Sequence, residues 1–150
     1  MIKLHFIPLL LIFILFGSCQ TKTTLNPAAQ AFNTEQIKAE LHASTEGWNQ
    51  GNLTNFMATY DSAATFMTSK GLINLAQLRS HYQQKYFVGN QPRQKLAFEE
   101  LAVKPLGTEF ALVTGKFILS GNDQPEQSGR FSLIFHATKN GWKILHDHSS

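Results

Sequence analysis

Residues 128–150 read SGRFSLIFHATKNGWKILHDHSS, and their alternation decides what kind of sheet the chain can build. Phe131, Leu133 and Phe135 alternate with Arg130, Ser132, Ile134 and His136, the period of two that marks a strand. Lys139-Asn140-Gly141 is turn chemistry, so the run before it and the run after it form a hairpin. On a regular second strand Trp142, Ile144, His146 and His148 share one face, and Lys143, Leu145 and Asp147 share the other. A three-residue loop with Gly141 in the left-handed bulge position sets Thr138 opposite Trp142 and His136 opposite Ile144. Ile134 then faces His146, Ser132 faces His148, and Arg130 lies near Ser150. One face would gather Arg130, Ser132, His136, His146 and His148, a cationic wall suited to a carboxylate or an enolate. A slip of one residue places Phe131, Leu133 and Phe135 there instead. A glycine third in the loop favours the first register.

Working outward, two more strands precede the hairpin, over Lys95–Pro105 and Phe110–Gly121. Leu106-Gly107-Thr108 and the polar GNDQPEQSG punctuate them. Before Pro92 the period changes. Asn33 or Thr34 can cap a helix with Ile37, Leu41 and Trp48 on one side, which Gly51 ends. Asn52 opens a second, short helix carrying Leu53, Phe56, Met57 and Tyr60, and ATFMT (64–68) is a strand. Asn74 with Gln77 three residues on makes a capping-box variant for a third helix bearing Leu75, Leu78 and Tyr82. Helices first and a meander afterwards give an α+β fold. The helices are expected to cover one face of a strongly bent, mainly antiparallel sheet and to enclose a pocket.

The first residues, MIKLHFIPLLLIFILFGSC, have one positive charge, an apolar run from Leu4 to Phe16, and small residues before Cys19. That is the build of a secretory signal, and the run is short of the about 20 residues that a membrane span needs. Cys19 is the only cysteine, which excludes a disulfide framework and a thiol nucleophile from the folded part. Its place directly after Gly17-Ser18 resembles a bacterial lipoprotein signal, which implies cleavage after residue 18 and lipid on Cys19. An uncleaved Cys19 within a conventional signal is the alternative. Gln20 is not an inner-membrane retention aspartate, so the resemblance implies an outer-membrane lipoprotein, and the lack of an acidic run after it implies one facing the periplasm. Residues 19–31, small, polar and broken by Pro27, would be the tether, and 32–150 the folded domain. The formal net charge of +3 is unclustered and gives no footprint for nucleic acid.

Two stretches carry a wider resemblance: WNQGNLTNFMATYDSAATF (48–66) and the closing SGRFSLIFHATKNGWKILHDHSS. Together they resemble the nuclear transport factor 2-like superfamily, and within it the SnoaL-like group of uncharacterised bacterial domains, over roughly residues 33–150. The resemblance implies a cone-shaped fold that hosts isomerases, dehydratases, binding modules and assembly domains alike. In the ketosteroid isomerases of that superfamily the general base would fall at Met67-Thr68 and the oxyanion tyrosine near Ser44. None of these residues suits those roles, so that activity does not carry over. The superfamily's polyketide cyclases use an acidic residue and a histidine, and His146 or His148 could supply the histidine.

Candidate ligand-binding residues are therefore His146, His148 and Arg130 on the last hairpin, with Trp48 and Tyr60 at the pocket mouth. The same residues also read as structural: a hydrogen-bonded histidine pair, a solvated arginine and two core aromatics. His-x-His on one strand offers two metal ligands where zinc needs three or four, so neither metal nor cofactor is expected. The leading expectation is a pocket domain for a small organic molecule, acidic if the histidine face meets it. The alternatives are an acid–base enzyme using histidine, and an assembly module. A homodimer through the outer sheet face is compatible with all three, and the apolar LIFHA and KFILSG stretches favour it.

Overall fold

The computed structural model describes residues 33–150. The expected signal, the lipid site at Cys19 and the tether lie outside the described residues. The Asn33 side chain accepts from the backbone N–H groups of Glu35 and Gln36, and helix α1 (Thr34–Asn49) starts there. Gly51, at φ +76°, ends the turn that follows; a Cβ there would lie 2.0 Å from the Asn90 carbonyl oxygen. Asn52 caps α2 (Leu53–Met57) through Asn55 N–H at 3.0 Å.

Strand β1 (Tyr60–Thr68) turns back into β2 (Gly71–Asn74), which runs directly into α3 (Leu75–Tyr86). At that junction Asn74 and Gln77 cap one another reciprocally, each bond 3.0 Å long. Two short strands, β3 (Phe87–Val88) and β4 (Gln91–Pro92), make a separate ladder. Four long strands follow: β5 (Lys95–Pro105), β6 (Phe110–Ser120), β7 (Gln127–Thr138) and β8 (Gly141–Ser149).

The main sheet has the order β2-β1-β8-β7-β6-β5. Every pairing is antiparallel except β1 with β8, so the end of the chain is inserted at the middle of the sheet. Three register breaks bend it: between Tyr60 and Thr65, between Glu99 and Ala102, and at Leu145. The chain is thus a mixed α+β fold with a curved sheet. Ile37, Leu41 and Trp48 of α1 and Leu78 of α3 pack with Val113, Leu133 and Phe135 on the concave face.

The last hairpin differs from the three-residue loop expected from its glycine. Thr138 pairs with Gly141, so only Lys139 and Asn140 form the turn, with Gly141 at φ +102°. The first half of the hairpin therefore runs one residue out of the favoured register, with Phe135 opposite Ile144. Leu145 then bulges out, and beyond it the favoured pairs appear: Ile134 with His146 and Ser132 with His148. Arg130 and Ser150 exchange backbone hydrogen bonds of 2.9 and 3.0 Å.

Candidate functional site

The bulge at Leu145 decides which side chains meet the interior. Before it, Trp142 and Ile144 are buried; after it the alternation resumes one residue later, and Asp147 is the buried group at 2% exposure. Asp147 pairs with Leu133 on β7 and with Phe66 on β1, both facing the helices, so its carboxyl stands on the concave side. His146 alternates with it and points the other way, while the exposed His148 reaches the rim. His146 Nδ1 lies 2.8 Å from the Thr65 hydroxyl on β1.

Between the concave face and the helices lies a cavity of about 570 Å³. Its wall is rich in aromatic rings: Trp48, Phe56, Tyr60, Phe66, Tyr82 and Tyr86, with Phe98, Phe117 and Phe131 from the sheet. Trp48 is the hub of the helical half, its ring edge-on to Phe56, Tyr82 and Phe87 at centroid distances of 5.0, 5.7 and 4.9 Å. Its indole N–H donates to the Gln94 carbonyl at 3.0 Å, which fixes the ring. The α1 and α3 helices bring these rings together because Trp48 ends the apolar stripe of α1 and Tyr82 and Tyr86 are one turn apart on α3.

Asp147 is the one carboxyl in the cavity wall. The Tyr60 hydroxyl donates to its Oδ2 at 2.7 Å, and Ser149 Oγ donates to Oδ1 at 2.8 Å. Tyr82 Oη stands 3.5 Å from Tyr60 Oη and extends the chain of hydroxyls. Burial raises the Asp147 carboxyl above the ordinary aspartate value, against the opposing pull of the Tyr60 and Ser149 hydrogen bonds and of His146 and His148. Burial, then the nearby Asp147, pushes the Tyr60 hydroxyl well up, and Tyr82 is raised for the same reasons. All three groups are held toward their protonated forms, which suits a proton-donating cluster better than a metal site. Among the described residues no group of three or more His, Asp or Glu side chains converges to hold a metal.

Of the residues singled out from sequence, Trp48 and Tyr60 line this cavity, and so does His148, which is exposed and sits at the rim with Ser149 and Ser150. His146 and Arg130 are not in its wall; Arg130 pairs with the exposed Glu100. His136 lies opposite Lys143 rather than Ile144, and its Nε2 is 3.0 Å from Asp61 Oδ2. The Asp61 carboxyl is held below its ordinary value, mainly by the Ala63 N–H at 2.8 Å and further by His136. The five polar side chains expected to form one wall are thus divided between the rim and the opposite face. Strict alternation sets Asp147 on the face away from the candidate wall. The adjacent apolar pair Ile144-Leu145, which breaks that alternation, is the signal that points to the bulge.

A family model described as the SnoaL-like domain matches residues 35–150. Among solved structures, an NTF-2 like protein of unknown function from Shewanella oneidensis is 25% identical, with 78% of this chain and 98% of that one covered and a TM-score of 0.69. A protein of unknown function with a cystatin-like fold from Nostoc punctiforme is 10% identical, covering 79% and 90%, at TM-score 0.65. The association domain of C. elegans CaMKII is 13% identical, covering 77% and 93%, also at 0.65. No curated protein matches the chain. The match spans nearly all of the Shewanella protein, so that crystal structure is of a chain little longer than the matched region, and the described core lies within residues 37–144.

Proposed function

The chain belongs to the SnoaL-like domain family, and from that premise we propose that its domain binds a small, mostly apolar organic molecule between the helices and the sheet. The observation that carries the reading is the aromatic cavity of about 570 Å³ with a single carboxyl in its wall. That size lies within the roughly 300–1,000 Å³ usual for small-molecule sites, and few polar groups in an apolar wall are what orient such ligands. The ligand's apolar body lies against Trp48 and Phe66, beside the hydrogen-bonded Tyr60 and Asp147. The Cys19 motif supports the companion proposal of a lipid-anchored, periplasm-facing protein, the tether placing the domain within reach of the membrane.

Nile red, whose emission shifts to the blue in apolar surroundings, tests the pocket on residues 33–150. The wild-type domain should take up one dye. Ser44, buried at 3% exposure in the cavity wall, is the place to block it. Ser44→Phe should abolish uptake while a thermal melt still reports a cooperative fold. No uptake by the wild type, or equal uptake by a folded Ser44→Phe, would refute the reading.

The Tyr82–Tyr60–Asp147 chain favours a second reading, an acid–base enzyme of the isomerase, dehydratase or cyclase kind. A buried carboxyl with a raised pKa is suited to giving and taking a proton near neutral pH. Proton exchange into D2O from an added panel of enolisable ketones, lost in Asp147→Asn, is the measurement that would favour it.

A further inference from the structure

The mouth of the cavity carries basic side chains, where its floor carries a buried carboxyl. His81 and Lys85 are one turn apart on α3, and both belong to the cavity wall. Lys85 Nζ stands 4.9 Å from the centre of the Tyr86 ring, whose face holds the ammonium at the opening. Among the described residues no carboxylate pairs with either side chain. His148 reaches the same rim, so apart from Asp147 and the tyrosines the titratable side chains of the wall are one lysine and two histidines.

We infer that the cavity takes an amphipathic carboxylate: its anionic head is held at the mouth by Lys85 and His81, and its apolar body runs inward toward Asp147. The inference rests on the pocket reading above and adds the chemistry of the ligand. Both Asp147 oxygens already accept hydrogen bonds, from Tyr60 and Ser149, so the inner end is a poor place for a second acceptor carrying full charge. The mouth is wet enough for a carboxylate to keep part of its hydration while pairing with the ammonium. His81 is held below its ordinary value by burial and by Lys85, so at neutral pH it offers a neutral ring N–H, and Lys85 carries the charge. An aromatic cavity with a buried carboxyl could instead attract an ammonium, and the two arrangements predict opposite rankings.

The test is displacement of Nile red from residues 33–150 by decanoate, decanol and decylammonium, which share one chain length and differ in charge. Decanoate should displace the dye at about tenfold lower concentration than decanol, the ratio expected of one charge-assisted contact. Raising the salt should shrink that ratio, because the contact is exposed. Lys85→Met should bring decanoate down to the level of decanol, each measured against that variant's own dye affinity, and Lys85→Arg should keep the preference. Equal displacement by decanoate and decanol, or a preference for decylammonium, would overturn the inference and leave the pocket standing. Failure of the dye and all three competitors to bind would overturn both.

Discussion

Replacing Tyr60 with Phe removes one oxygen and leaves Asp147 Oδ2 without its 2.7 Å donor in a site of 2% exposure. The size of the loss depends on whether the carboxyl is charged. A hydrogen bond to a neutral partner is worth about 1 kcal/mol net, and one to a charged partner about 1.5–3 kcal/mol. The sign with pH follows from linkage. Asp147 is raised in the folded state, so its contribution is fully present below the unfolded aspartate value and is lost as pH rises through the folded one. The Tyr60 bond opposes that rise, so Tyr60→Phe lifts the folded value further and extends the loss. Tyr60→Phe should therefore cost about 1 kcal/mol at low pH, where the carboxyl is protonated, and a larger amount, within about 1.5–3 kcal/mol, at high pH, once it is charged. Guanidinium denaturation followed by the fluorescence of the buried Trp48 measures both values. In the Asp147→Asn background the pH dependence of the Tyr60→Phe cost should vanish. A cost that is the same at both pH values in the wild-type background would refute the placement of a titrating carboxyl under Tyr60.

Other consequences are checked more simply. Gly115→Ala should cost about 1–3 kcal/mol in a denaturant titration, because its Cβ would land 2.5 Å from the Phe131 ring and 3.0 Å from Leu101. Asn74→Ala removes the cap of α3 and should lower stability by about 1 kcal/mol, seen as a drop in the thermal midpoint without loss of dye uptake. Trp48→Phe leaves the Gln94 carbonyl without its indole donor and should cost about 2 kcal/mol, with a weakened grip on Nile red. Cys19→Ser should shift the full chain from membrane to soluble fractions; unchanged membrane association would sink the proposed lipid anchor.

Much of the local structure was legible because it depends on neighbours in the chain. Asn33, Asn52 and Asn74 each cap a helix where the pattern of polar and apolar residues puts one. Lys95–Pro105 is a strand with the bounds read from its alternation and turns. The short strands β2, β3 and β4 were not read, since a few residues carry too little period to distinguish strand from loop. Trp48 and Tyr60 could be picked out as large rings with polar tips. Tyr82 could be read as a helix residue, but not as the neighbour of Tyr60, because 22 residues separate them.

By itself, then, the sequence determined the α+β order, the capped helix starts and the apolar faces that must be buried, each a consequence of short-range spacing and hydrophobicity. Only the tertiary structure decided that Asp147, and not His146, faces the cavity. Strand alternation is a rule of strict period two, and one extra residue inverts every side chain beyond it. Leu145 is that residue, and its bulge is set by the two partners that β8 must satisfy at once, antiparallel β7 on one side and parallel β1 on the other. β1 lies far upstream in the chain, so the Ile144-Leu145 pair can mark where the alternation breaks but not the partner strand that completes the constraint.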